Sequence, residues 1–251
     1  MLDTCVTQAD GLQNMTDHIV PRVMAMASHG KQQGELPLLW NLCSTLVDFG
    51  YPVVVLDATT FESDDNPGLE QLLNGIHWRD DENSEPLSWS VIPAARGLQQ
   101  LCTQKSGYGL PLDPLSSLLQ SFAVIVIYAR AEVLTLLLAD SGIEPLLTVS
   151  PLKVSLVTAY QALKQMLLNA KLQPTIASLV SDSFSGTTMT NPSPVNILQE
   201  CAMTFLGYRI DSLAVRTLPL DRPSDDMNRL ALRLLEKAMP LHRHHSSIGS
   251  H

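Results

Sequence analysis

The segment RVMAMASHGKQQGELPLLWNLCSTLVDFGYPVVVLD, residues 22–57, determines the fold that the sequence predicts. It joins an apolar strand pattern, a loop containing Gly30 and Gly34, an amphipathic helix pattern and a second apolar strand pattern ending in Asp57. A strand, a glycine-containing loop and a helix in this order form a phosphate-binding site, because the loop and the helix N-terminus direct backbone N–H groups at an anion. The segment therefore predicts the first unit of a parallel α/β sheet.

The residues that would bind a nucleotide in such a loop are replaced. A lysine that contacts the β- and γ-phosphates and a hydroxyl that binds Mg²⁺ are expected after the last loop glycine. Glu35, Leu36 and Pro37 stand there instead. A carboxylate about 4 Å from a phosphate costs roughly 4 kcal/mol per unit charge at an effective dielectric of about 20. The sequence therefore predicts no nucleotide cofactor; the alternative is a shifted register that brings Lys31 to a phosphate.

Composition and charge narrow the class of protein. The chain has 251 residues, 45% of them hydrophobic, which suits one α/β domain with one core. Its net charge of −9 argues against nonspecific nucleic-acid binding, which needs clustered lysine and arginine. The four cysteines lack CxxC spacing, which predicts free thiols in a reducing compartment and no metal site. We expect a cytoplasmic protein, because no apolar run is long enough to span a membrane and residues 1–20 lack a signal-peptide pattern.

Short β-branched runs alternate with longer amphipathic runs, which predicts a single doubly wound, mostly parallel sheet flanked by helices. We place strands at 22–27, 52–56, 88–92, 123–127, 146–149, 175–180 and 212–215. We place helices at 38–49, 69–73, 97–103, 115–121, 133–140, 152–170, 194–206 and 225–239. The expected organisation is an N-terminal helix or leader at 1–20, an α/β domain at 21–240 and a disordered tail at 241–251.

Two regions are interpreted as solvent-facing. Residues 62–85 are rich in Asp, Glu and Asn, and we interpret them as a solvated excursion around a short helix rather than part of the core. His29, which follows the first strand, is interpreted as a solvated loop residue because no second candidate catalytic side chain accompanies it in the sequence.

Four segments, in one order, resemble the MinD/ParA class of P-loop ATPases, and within it most closely the FlhG regulators of flagellar number, also called FleN or YlxH. The segments are LLWNLCSTLVDFGYPVVVLDA (38–58), SVIPAARGLQQL (90–101), ADSGIEPLLTVSPLKVSLVTAYQALK (139–164) and FLGYRIDSLAVRTLPLD (205–221). The resemblance implies a P-loop NTPase-like fold. It also implies a catalytic Asp two places after Asp57 and another Asp after the fourth strand, but Thr59 and Tyr128 occupy those positions.

Phosphoryl transfer depends on the loop lysine, the metal-binding hydroxyl and these carboxylates together. We therefore interpret the chain as a pseudo-ATPase, a non-enzymatic regulator or scaffold that acts through protein contacts, either as a monomer or as a dimer that needs no nucleotide. Two alternatives stay open. One is an active NTPase with an unconventional loop that uses Lys31 and Asp57; the other is a pseudo-ATPase regulator of another surface machinery, such as cellulose synthesis or pilus positioning.

The N-terminal sequence TQADGLQ, residues 7–13, resembles the D-Q-A-x-x-L-R motif that precedes the ATPase domain of FlhG-like proteins. In that family the motif docks as a helix on the GTPase FlhF, and its Gln promotes GTP hydrolysis. The resemblance assigns this role to Gln8 and the docking contacts to Ala9 and Leu12, with an FlhF-like GTPase as partner. Thr7 and Gln13 depart from the motif, and the alternative is an unstructured leader with a chance match.

Residues 225–239 carry apolar side chains at helical spacing, including Met227, Leu230 and Leu234. A helix that covers the sheet is the favoured interpretation. The alternative is the amphipathic membrane-surface helix found at the end of MinD-type proteins, which would give a polar or membrane-associated location.

Overall fold

The computed structural model describes residues 20–30, 34–76, 89–103, 111–180, 193–216 and 224–241. The strands in these ranges are β1 (Arg22–Ala27), β2 (Val53–Asp57), β3 (Trp89–Pro93), β4 (Val124–Ala129), β5 (Leu146–Val149), β6 (Thr175–Val180), β7 (Ser212–Arg216) and β8 (Met239–Pro240). The helices are α1 (Glu35–Asp48), α2 (Leu69–Leu73), α3 (Ala95–Thr103), α4 (Leu115–Leu118), α5 (Ala131–Leu137), α6 (Lys153–Ala170), α7 (Pro194–Leu206) and α8 (Asp225–Glu236).

One mostly parallel sheet forms the centre of the molecule. Its strand order is β3-β2-β4-β1-β5-β6-β7, and β8 pairs antiparallel with the amino end of β1. Strand β4 follows β1 over its whole length, whereas β5 pairs with β1 only at Met26–Leu146. The expected single, doubly wound, mostly parallel sheet flanked by helices is confirmed.

The sheet buries both of its faces, because side chains alternate between the two faces along each strand. In β1, Val23 and Ala25 belong to a cluster with α2, α3, α5, α6 and α7, whereas Met24 and Met26 belong to a cluster with α1 and α8. Of the helices that the structure describes, α1 and α8 therefore cover one face and the others the opposite face. Buried strands of this kind read as continuous apolar runs in the sequence.

The predicted boundaries of β1, β5, β6, α2 and α7 are confirmed. Helix α1 begins at Glu35, three residues before its predicted start, since Pro37 fits the first turn, where a backbone N–H has no partner within the helix. The predicted continuation of the last helix to residue 239 is wrong. Helix α8 ends at Glu236 and Met239 pairs with Val23, because a residue before proline disfavours the helical conformation.

Helix α8 packs its apolar face into the protein. Met227, Leu230 and Leu234 are each less than 4% exposed and belong to the same hydrophobic cluster as the buried side chains of α1. The interpretation of this helix as a cover for the sheet is confirmed, and the face that would lie on a membrane in the alternative is occupied by the core. Within the residues that the structure describes, no helix is both long enough and apolar enough to cross a membrane.

The interpretation of residues 62–85 as solvated is wrong for their first part. Glu62 is 1% exposed, and Leu69 of α2 is fully buried. The Glu62 carboxylate accepts backbone N–H groups from Arg96 at 2.8 Å, Gly97 at 2.8 Å and Glu70 at 3.4 Å. It therefore caps the starts of α2 and α3, where unpaired N–H groups favour a negative charge.

Candidate functional site

The site lies where β1 passes into α1, at the carboxyl edge of the sheet. Gly30 and Gly34 have positive φ angles of 83° and 91°, a conformation that glycine adopts without strain. Residues 31–33 between them, and with them Lys31, lie outside the described residues. The edge of the sheet brings the ends of β1, β2 and β4 together, since these strands are parallel neighbours.

Glu35 turns its side chain into this loop. It is 1% exposed, and its two carboxyl oxygens lie 3.1 and 3.3 Å from the backbone N–H of His29, which donates to them. Hydrogen bonds from Tyr128 and Ser28 also reach the carboxyl group. Burial raises the pKa of Glu35 to about 7, and these hydrogen bonds oppose that rise. The carboxyl group of Glu35 thus lies beside the carboxyl end of β1 and accepts the hydrogen bond of the His29 N–H group.

Tyr128, near the end of β4, faces the same point from the neighbouring strand. Its side chain is 3% exposed and hydrogen-bonds to Glu35 and Ser28. Burial is the main cause that raises the pKa of the Tyr128 hydroxyl, and the nearby carboxylates of Glu35 and Asp57 raise it further. Tyr128 is therefore a neutral donor to Glu35 at physiological pH.

Asp57 ends β2, and both of its carboxylate oxygens accept hydrogen bonds from the following turn. The first accepts the backbone N–H and the hydroxyl of Thr59, at 2.8 and 2.6 Å. The second accepts the hydroxyl of Thr60 at 2.7 Å. The two threonines thus hold Asp57 in a local turn of the kind that Asp side chains form with residues two places on.

His29 is not the solvated loop residue that the sequence suggested. Burial lowers the pKa of its imidazole, and a hydrogen bond to the backbone of Thr148, at the end of β5, partly opposes that effect. Its Nε2 atom is buried and has no hydrogen-bond partner among the residues that the structure describes, and the same holds for the hydroxyl of Ser150. The imidazole is therefore neutral and links the loop to β5.

The remaining candidate residues are not gathered at this point. Leu36 is 51% exposed and Pro37 is also exposed, so neither is buried beside Glu35. Gln8, Ala9 and Leu12 lie outside the described residues, and their assigned role stays a prediction. In the described part of the chain, no group of three or more His, Cys, Asp or Glu side chains is placed to hold a metal ion.

The sequence indicated the positions of Glu35 and Tyr128 but not the contact between them. They are 93 residues apart, and only the pairing of β1 with β4 brings them together. Glu62 was missed, because an acid-rich stretch gives no sign that one of its carboxylates is buried. Gly97 lets α3 pack closely against α2, because a Cβ atom at this position would lie only 2.6 Å from Cγ of Leu69.

The fold is similar to that of several solved structures at low sequence identity. No protein-family model and no curated protein sequence matches the chain. The solved structure of cobyrinic acid a,c-diamide synthase from Mycobacterium smegmatis with bound ADP and magnesium aligns with a TM-score of 0.53 at 18% identity, over 88% of this chain and 98% of that one. The cell division ATPase MinD from Pyrococcus furiosus aligns with a TM-score of 0.52 at 16% identity, over 86% and 97%. MinD from Aquifex aeolicus gives 0.50 at 15% identity, over 88% and 99%.

Proposed function

We propose that this protein is a non-catalytic regulator or scaffold with the fold of MinD, which acts through protein contacts rather than through ATP hydrolysis. The observation that carries the proposal is the Glu35 carboxyl group, which lies inside the loop and accepts the N–H of His29. A phosphate needs the N–H groups of such a loop for itself.

The space that the Glu35 side chain fills disfavours nucleotide binding more than its charge does. With a pKa of about 7, the carboxyl group is roughly half ionised at neutral pH, so repulsion of a phosphate is partial. Its volume and its hydrogen bond to His29 remain in either protonation state. Binding of a phosphate would require the Glu35 side chain to leave its buried place beside Tyr128 and Ser28.

The residues at the positions where Mg²⁺ would be held support the same proposal. Mg²⁺ bound to phosphates is held by hydroxyl and carboxylate oxygens with open coordination positions. Asp57 has both oxygens engaged by Thr59 and Thr60, and Tyr128 offers a neutral phenol in place of a carboxylate. These described side chains support the proposal that Mg-ATP is not bound, and we derive no step of catalysis through it.

Titration calorimetry with Mg-ATP and Mg-GTP tests the non-catalytic part of the proposal. We expect no measurable heat of binding and no thermal stabilisation, whereas a ligand at about 100 times its dissociation constant stabilises a protein by roughly 2.7 kcal/mol. Glu35→Lys should not restore ATP hydrolysis, because Thr59 and Tyr128 remain. Micromolar binding of Mg-ATP to the wild-type protein would contradict the proposal and favour the unconventional NTPase.

The partner that we propose is an FlhF-like GTPase, contacted by the segment that contains Gln8, Ala9 and Leu12. A glutamine side chain that orients the attacking water is a known means of accelerating GTP hydrolysis. We expect the full-length protein to stimulate the GTPase, Gln8→Ala to abolish the stimulation, and Gln13→Ala, at a position that departs from the motif, to retain it. If Gln8→Ala stimulated the GTPase as strongly as the wild type, the flagellar assignment would fall. The protein would then be a MinD-like scaffold of another surface machinery.

A further inference from the structure

The outer face of α6 carries a row of residues that we call the outer seam. Its members are spaced three and four positions apart: Val154, Val157, Gln161, Lys164 and Leu168. All five are exposed, and the three apolar side chains are 69%, 57% and 63% exposed for Val154, Val157 and Leu168 respectively. At 18 residues, α6 is the longest helix in the described ranges, and the seam extends over most of it.

The outer seam lies directly opposite the side of α6 that packs on the sheet. The buried side contains Ala159, Leu163, Met166 and Ala170, and at 3.6 residues per turn the seam positions fall about half a turn away from it. A solvent-facing stripe of a surface helix normally carries charged and polar residues. Here only one of the five positions is charged, which marks the seam as a contact surface.

The spacing of the seam indicates a helix as its occupant. Alternating steps of three and four residues give the a/d pattern by which one helix packs against another. We propose that the occupant is α6 of a second copy of this chain, in an antiparallel pair with Gln161 at the two-fold axis. Val154 then faces Leu168 of the second copy, and Val157 faces Lys164 of the second copy.

The single charge of the seam selects the antiparallel arrangement. In a parallel pair the two Lys164 ammonium groups would face each other at one level. In the antiparallel pair they are separated by six residues of helix, about 9 Å along the axis. The aliphatic part of Lys164 can then cover Val157 of the second copy while its ammonium group stays in water. Both copies use the same patch, as a two-fold interface requires.

The size of the surface suits a weak dimer. Helices α5 and α7 flank α6 and present further outward apolar side chains, with Leu136 66% and Met203 57% exposed. Helices α5, α6 and α7 have 7, 18 and 13 residues, which makes them about 10, 27 and 20 Å long. As strips about 10 Å wide they give roughly 1,100 Å² buried over two copies, near the lower limit for a specific interface. The pair should therefore form at micromolar concentration and needs no nucleotide.

Sedimentation velocity of the full chain without nucleotide tests the inference. Between about 1 and about 100 µM, the interval in which an interface of this size should associate, the mass should rise from 27.5 kDa towards twice that value. Leu168→Asp should weaken the association at least about tenfold, since symmetry places the change twice in one interface. Leu232→Asp, at an equally exposed position of α8 (58%), should leave it unchanged.

The register is tested by two changes at one position. Val157→Glu should preserve or tighten the dimer in a salt-sensitive way, because the new carboxylate faces Lys164 of the second copy, whereas Val157→Lys should dissociate it. A monomer at every concentration, or equal loss of association in Val157→Glu and Val157→Lys, would overturn the proposal. Circular dichroism of each variant checks that the fold is intact. The inference does not rest on the proposed function, since no nucleotide and no GTPase enters the measurement.

Discussion

Glu35 is a buried carboxyl group without an ion pair to a lysine or arginine in the described part of the chain. Hydrogen bonds from a backbone N–H and two hydroxyls compensate only part of the cost of removing its charge from water. The result is a carboxyl group whose pKa is raised from about 4.5 to about 7. The charge of Glu35 in the folded protein therefore changes with pH near neutrality.

This coupling gives a signed prediction for stability. Between pH 4.5 and 7 the folded protein holds a proton on Glu35 that the unfolded chain has released, so the free energy of unfolding must fall as pH rises through this window. A shift of this size corresponds to about 3 kcal/mol. Glu35→Gln cannot ionise, so this part of the pH dependence should disappear, and the variant should be more stable than the wild type at pH 8.

Urea denaturation at pH 5 and pH 8 measures the effect. The control is Glu132→Gln, which makes the same chemical change at an exposed residue in the first turn of α5. Identical pH profiles for wild type and Glu35→Gln would contradict the assignment of the titrating group to Glu35.

At the scale of elements, α2 and α3 depend on one buried side chain between them. Glu62 accepts N–H groups from the start of both helices. Glu62→Ala should lower the free energy of unfolding by about 2–4 kcal/mol, because it leaves buried N–H groups without acceptors. The matched control is Glu70→Ala, which removes only the 3.7 Å ion pair with Arg96 between partly exposed side chains and should cost less than about 1 kcal/mol. Equal losses in the two variants would refute the capping role.

The elements that the sequence predicted well are those with a strong local pattern. Strands β1, β5 and β6 are short, largely apolar runs, each preceded by a proline and followed by a serine, and their predicted limits match the structure. Helix α8 was extended too far, because its apolar spacing continues past Glu236 while Pro240 favours an extended residue before it. The contacts of Glu35 with Tyr128 and of Glu62 with Gly97 depend on the order of strands in the sheet, and no local pattern in the sequence records them.

Across the molecule, Pro21 and Glu35 lie beyond opposite ends of β1. The chain enters β1 at its amino end, where Leu241 N–H donates to the carbonyl oxygen of Pro21 at 2.8 Å and Arg22 pairs with Pro240. Glu35 follows the carboxyl end of the same strand. Six residues of β-strand separate these ends by about 20 Å. Pro21 and Leu241 therefore lie side by side at the end of β1 that is remote from Glu35.

The distance between Pro21 and Glu35 predicts that a change at Glu35 does not affect an activity of the segment that contains Gln8. If the residues around Gln8 stimulate an FlhF-like GTPase, Glu35→Gln should leave the stimulation within about twofold of the wild type, because a change confined to the carboxyl edge places no new charge or volume near Pro21. Gln8→Ala in the same assay should abolish it. The measurement is the rate of GTP hydrolysis by the partner at increasing concentrations of each full-length variant. A loss in Glu35→Gln comparable to that in Gln8→Ala would show that the loop and the N-terminal segment are coupled through the sheet.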